Sequence, residues 1–198
     1  MMKRYLLILP LIIFLFTGCG DTLSTSTKDE SASVTADFLA GTWTAECVDN
    51  TTASTSTKTV LVFSAAADNL SSTSTNYSDL NCVTQNYVIT KTLSTLSLGT
   101  KSTTAQYQIM TKFTAVVSSI TLEPKTSSAA TSLNSTPYCG ITGWSSGAQT
   151  SIAGLTCGSI SYKAQNAVYS DLIQLNSEKT FIRLGNTTNL GSNGYPKT

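Results

Sequence analysis

The chain is 198 residues long, with 12 Lys and Arg against 11 Asp and Glu, no His, 12% charged residues and 40% hydrophobic ones. The missing His removes both the commonest general base and the commonest metal ligand, and the balanced charge leaves no basic stripe to neutralise a phosphate backbone, so nucleic acid is not an expected partner. Polarity comes instead from 62 Ser and Thr; Thr is β-branched, stiff at χ1 and packs well on a pleated surface, so this composition points to β-structure.

The first segment reads MMKRYLLILPLIIFLFTGCG, with Lys3 and Arg4 ahead of an apolar run from Tyr5 to Phe16 and small residues before Cys19. A charged start, an apolar centre and a small-residue cleavage site make an export signal. The run is shorter than the roughly 18 apolar residues that span a bilayer. Its loss removes Lys3 and Arg4 and leaves 10 basic against 11 acidic residues. The residues LFTGC, 15–19, resemble the lipobox of bacterial lipoproteins, departing from it at Phe16, where an aliphatic residue is usual. The resemblance implies cleavage before Cys19 and a lipidated, palmitate-bearing Cys19 as the membrane anchor. Several acyl chains, at about 0.8 kcal/mol per buried methylene, hold where one does not. Gly20 stands where Asp marks inner-membrane retention in enteric bacteria, which implies the outer membrane of the cell envelope.

The expected organisation is a signal peptide over 1–18, an acylated N-terminus and flexible tether over 19–36, and a single domain over 37–198. The tether, GDTLSTSTKDESASVTA, has no apolar period. The domain holds roughly 160 residues, enough to bury about two thirds of its surface.

Strand signals then follow at short intervals, separated by Gly, Asn, Asp and Ser. LAGTWTAE (39–46) opens the domain and KTVLVFSA (58–65) is β-branched and apolar. NYVITKTLSTLSL (86–98) alternates, with Tyr87 and Ile89 on one side. AQYQIMTKF (105–113) puts Tyr107 and Ile109 on one face, and AVVSSITLEP (115–124) is a further strand ended by Pro124. AVYSDLIQL (167–175) and TFIRLGN (180–186) form a closing hairpin around NSEK. The hydroxyl-rich SSTSTNYSDLNC (71–82) and TSSAATSLNST (126–136) read as loops or hairpin ends. No window carries a long 3.6-residue apolar stripe. The expectation is an all-β fold of eight or nine short antiparallel strands, a barrel or a sandwich. The N-x-S/T matches at Asn50 and Asn186 are chance products of this composition.

Apart from Cys19, four Cys remain, and an exported chain meets an oxidising compartment, so an even number reads as two disulfides. Three pairings are open. The sequential one, Cys47 with Cys82 and Cys139 with Cys157, is favoured; each bond closes a loop of moderate size and contributes roughly 3 to 4 kcal/mol. With these Cys so engaged and His absent, neither a metal nor another cofactor is expected.

GWSSG, 143–147, fits the G-x-S-x-G pattern of a nucleophile elbow around Ser145. Such an elbow needs a His to take the Ser proton and a helix behind the turn. Here there is no His, the nearest Lys is Lys163, and the following GAQTSIAGLTC is not a helix pattern. A catalytic role is therefore not expected. Trp144 reads instead as a packing anchor beside a disulfide.

Two resemblances cover the domain. The pattern Tyr138, Cys139, Gly140, Thr142, Trp144, then Gly154 and Cys157, together with GTW, Cys47 and the YSDLNC segment, is similar to a family of small exported bacterial lipoproteins that brings no established activity with it. LAGTWTAE, with Gly41 and Trp43, resembles the G-x-W opening strand of lipocalins; their second signature, a Thr-Asp-x-Tyr loop, is not present. The lipocalin resemblance implies an eight-stranded barrel whose Trp plugs the closed end, with Arg183 of the last strand stacked on it, and it favours barrel over sandwich. A barrel of that size either fills with side chains or holds one small ligand. Candidate lining residues are Leu61, Phe63, Tyr87, Ile89, Tyr107 and Ile109. Two functions follow: a lipid-anchored barrel binding a small hydrophobic molecule, or a non-enzymatic envelope interaction module whose hydroxyl-rich loops meet a partner.

Overall fold

A computed structural model describes residues 4–6, 34–103, 109–176 and 180–185. In chain order the elements are β1 (Arg4–Leu6), α1 (Ala36–Leu39), β2 (Gly41–Ala45), β3 (Val48–Asn50), β4 (Thr55–Phe63), β5 (Leu70–Tyr77), β6 (Gln85–Thr103) and β7 (Ile109–Pro124). There follow α2 (Ser127–Ser135), a 3-10 turn at Tyr138–Gly140, β8 (Thr150–Ser151), β9 (Thr156–Cys157), β10 (Ile160–Ser161), β11 (Val168–Leu175) and β12 (Phe181–Leu184).

The fold is all-β and barrel-like. Antiparallel pairings run β2–β4–β5–β6–β7, and β7 continues into β11 and then β12. Between β12 and β2 lies β1, parallel to both, with Tyr5 opposite Phe181 on one side and Thr44 on the other. This short strand falls within the segment that reads as leader and was not among the expected strands. β6 and β7 are long, with register shifts at Thr92/Leu93, Ser94/Ser97 and Leu98/Lys101. Such bulges bend and twist a ladder so that it can close. The two separate strands expected within 105–124 are one continuous β7 over its described part.

Two expected loops are regular structure. Residues 71–77 belong to β5, which pairs over its whole length with β4 on one side and β6 on the other. Alternating Ser and Thr supply β-compatible side chains to both faces. Residues 127–135 form α2, capped by the Thr126 hydroxyl accepting from the Ala129 N–H at 3.0 Å and seated by buried Ala129, Ala130 and Leu133. Ala at two of these seats gives high helix propensity with little hydrophobic signal.

One end of the barrel is filled. Trp43, Leu61, Phe63, Leu70 and Leu93 are all at most 2% exposed and share one cluster. The register places Trp43 opposite Leu61, Phe63 opposite Leu70, and Leu70 opposite Leu93. Full burial of one such aliphatic or Phe side chain contributes about 1.5 to 3 kcal/mol. The Trp43 indole N–H donates to the carbonyl of Leu39 at 2.8 Å, which ties α1 to the plug.

Arg183 does not complete that plug. Alternation along β12 sends Ile182 into the core at 0% exposure and Arg183 to the opposite face. There the guanidinium carbon lies 5.8 Å from the centroid of the Phe181 ring. The period-2 phase of the strand, set by burying Ile182, forbids the expected stack on Trp43.

Candidate functional site

The inward phase of β4 runs Thr57, Thr59, Leu61, Phe63, and that of β5 runs Leu70, Ser72, Ser74, Asn76. Apolar residues therefore occupy one half of the barrel and hydroxyls the other. The second half is hollow, with a cavity of about 550 Å3. That volume lies within the range of small-molecule sites.

One wall of the cavity is polar: Thr57 of β4 and Ser72, Ser74 and Asn76 of β5. Next to it on the adjoining strand are Tyr87, Ile89 and Lys91 of β6, and the lining continues through Ile120 of β7 and Tyr169 of β11. Residues Ile160 to Lys163 complete the lining from the β9–β10 hairpin side. That hairpin is fastened by backbone bonds from Tyr162 N–H to the Leu155 carbonyl (2.9 Å) and from Gly154 N–H to the Lys163 carbonyl (3.0 Å). The Cys139–Cys157 disulfide, with Cα atoms 4.1 Å apart, joins it to the 3-10 turn. A second disulfide, Cys47–Cys82, links the β2–β3 connection to the loop after β5, with Cα atoms 5.9 Å apart. Both bonds are the sequential pairing expected from the sequence.

Three groups in this wall, buried Asp171 and partly buried Tyr169 and Lys91, form a polar cluster. Asp171, 1% exposed, accepts from the Tyr169 hydroxyl at 2.9 Å and from the Leu172 N–H at 2.7 Å. The Lys91 ammonium lies 4.1 Å from the centroid of the Tyr169 ring, a cation–π geometry. Phe113 packs on the same ring at 6.1 Å between centroids. Burial pushes the Asp171 carboxyl up to about 6, against the opposing pull of its hydrogen bonds and of Lys91. Burial also holds the Lys91 ammonium below the usual lysine range, with Asp171 opposing. The Tyr169 hydroxyl is driven up by burial and then by Asp171. Burial pushes Tyr162 up to about 12 and raises Tyr87 and Tyr138 as well. At neutral pH these phenols are uncharged hydrogen-bonding groups.

Of the six candidate lining residues, Tyr87 and Ile89 line the cavity. Leu61 and Phe63 belong to the plug instead, because they sit toward the Trp43 end of their strand. Tyr107 lies outside the described residues, as does the side chain of Ile109. Lys91 and Asp171 were not among the candidates, yet both carried a signal. Each is a charged residue in phase with apolar ones, Lys91 with Tyr87, Ile89 and Leu93, and Asp171 with Tyr169, Ile173 and Leu175.

The GWSSG segment is built as a clamp around Trp144. Asn134 of α2 accepts from the N–H of Gly143 (2.9 Å) and of Trp144 (2.8 Å), and donates to the Trp144 carbonyl (2.9 Å). Gly143 holds φ +88°, a conformation that side chains rarely adopt. These constraints turn the indole inward to 4% exposure and leave Ser145 exposed. No helix follows Ser145; the chain turns, with the Ala148 N–H on the Ser145 carbonyl at 3.1 Å.

Among the described residues there is no group of three or more His, Cys, Asp or Glu able to hold a metal ion, and no helix long and apolar enough to cross a membrane. No family model matches the chain, and no curated protein matches it.

Proposed function

We propose that this protein is an envelope lipoprotein, anchored through Cys19, whose barrel holds one small amphipathic molecule. The observation that carries the reading is the half-hollow interior, in which a hydroxyl and amide wall on β4 and β5 shares a cavity of about 550 Å3 with Ile89, Ile120 and three tyrosines. An apolar core position given to Ser costs stability unless its hydroxyl finds a partner. Two inward positions on β5 are Ser72 and Ser74, which line the cavity, with the Ser74 hydroxyl also accepting from Thr59 at 3.5 Å. The lining is more polar than a purely hydrophobic ligand needs, so the expected ligand class shifts to one bearing both apolar surface and hydrogen-bonding groups. Two disulfides support an extracellular or envelope location, and LFTGC supports lipidation there.

Native mass spectrometry of the protein released from the envelope in a neutral detergent tests the reading. The expected spectrum contains a co-purified small molecule and an acylated N-terminal Cys19. A protein that emerges empty and also fails to take up small aromatic probes sinks the ligand reading, and an unmodified N-terminus sinks the anchor. The envelope interaction module loses its main support, because the segments expected to be partner-facing loops are β5 and the seated helix α2.

A further inference from the structure

Lys91 is the charged side chain that β6 directs into the cavity, in phase with Tyr87 and Ile89. Among the described residues its ammonium has no hydrogen bond and no ion pair within 4 Å. Its neighbours are the face of the Tyr169 ring at 4.1 Å and, at longer range, the charge of Asp171. Lys91 is partly buried, and an ammonium drawn partly out of water with only a ring quadrupole and a distant carboxylate beside it still has donor capacity to offer. Asp171 takes the Tyr169 hydroxyl and the Leu172 N–H with its two oxygens and reaches Lys91 only through its charge. The donor positions of Lys91 therefore face the open volume, with Ser72 opposite it on β5.

We infer that the ligand is an amphipathic organic acid whose carboxylate is taken by Lys91 while its body lies between Ile89, Ile120 and Tyr87. This deepens the binding reading above and rests on it. One interior ammonium with open donor positions suits one carboxylate rather than a more highly charged group. Lys91 supplies one positive charge inside, Asp171 stands behind it, and the other cation of the lining, Lys163, is exposed at the rim. A phosphate dianion would find one interior cation and a repelling carboxylate. A monocarboxylate gains a charge-assisted hydrogen bond from Lys91.

The test uses the full protein isolated in neutral detergent and a matched pair of water-soluble probes, naphthaleneacetic acid and its uncharged amide, titrated by fluorescence. The acid is expected to bind at least about tenfold more tightly than the amide. Lys91→Met should remove that preference, and Lys91→Arg should keep most of it. An unchanged circular dichroism spectrum and cooperative melt of Lys91→Met show that the barrel is intact. If acid and amide bind the wild type equally, or if Lys91→Met still prefers the acid, the carboxylate inference is overturned while the cavity reading stands. If neither probe binds, both fall together.

Discussion

Replacing Asp171 by Asn should make the protein more stable at neutral pH and leave it nearly unchanged in acid. The carboxyl is 1% exposed and its folded pKa is pushed from 3.8 up to about 6. A raised folded value means that the folded state prefers the protonated form. The stability this provides is fully present below about pH 3.8 and is lost as the pH rises through about 6. At 1.36 kcal/mol per pKa unit the loss amounts to about 3 kcal/mol. The amide cannot ionise; its oxygen can keep the Leu172 N–H while its NH2 donates to the Tyr169 hydroxyl oxygen, so the variant escapes the loss. For a domain of this size about 3 kcal/mol corresponds to roughly 6 to 12 °C in melting temperature. Thermal melts followed by circular dichroism between pH 4 and pH 8 would show the gap between variant and wild type opening across pH 4 to 7. Asp68, Asp79 and Glu123 titrate in the opposite sense, held low chiefly by Ser64, Thr84 and Lys125, but both proteins carry them and they cancel in the difference. A gap that stays constant with pH, or a wild type that gains on the variant above pH 6, would refute the account of Asp171 as a carboxyl strained by burial.

The remaining predictions concern the frame around the cavity. Cys139→Ser with Cys157→Ser removes a cross-link spanning 18 residues and should cost about 3 kcal/mol in denaturant unfolding; probe dissociation should also quicken, and unchanged kinetics would mean that the β9–β10 hairpin does not hold the ligand. Asn134→Ala strips three hydrogen bonds from Gly143 and Trp144 and should lower stability by about 1 to 3 kcal/mol, with Trp144 emission shifting to the red as water reaches the ring. Ser145→Ala should alter neither folding nor probe binding, and labelling of Ser145 by a fluorophosphonate would contradict the structural reading of GWSSG.

Much of the frame was legible because it obeys simple alternation. KTVLVF is β-branched and apolar, NYVIT puts Tyr87 and Ile89 on one side and the closing hairpin is marked by its turn, and β4, β6, β11 and β12 are found there. The cysteine pairing followed from short loops, and Trp43 indeed lies in a buried plug. Strand β5 was illegible for the reason that makes it interesting. Its inward positions are Ser72, Ser74 and Asn76 and its outward ones Ser71, Thr73 and Thr75, so both faces are polar and no period appears. Only a strand bordering a hollow can be polar on its inner face in this way. Helix α2 escaped notice because two of its three buried positions are Ala. The role of Arg183 was misplaced because the lipocalin analogy fixed a strand but not its phase, and a shift of one residue sends a side chain to the other face.

The parity of the barrel has a consequence for maturation. The seven strands from β2 round to β12 alternate in direction, so the first and last point the same way and cannot close on each other by an antiparallel ladder. The eighth stave, Arg4–Leu6, bridges them, and it lies upstream of the cut that a lipobox implies. Proteolytic processing would thus withdraw the keystone and bare two parallel edges, on the side of the barrel away from Lys91. Open edges invite pairing with other chains, so a molecule cut there would have to zip that slit by itself or seal it with another extended segment.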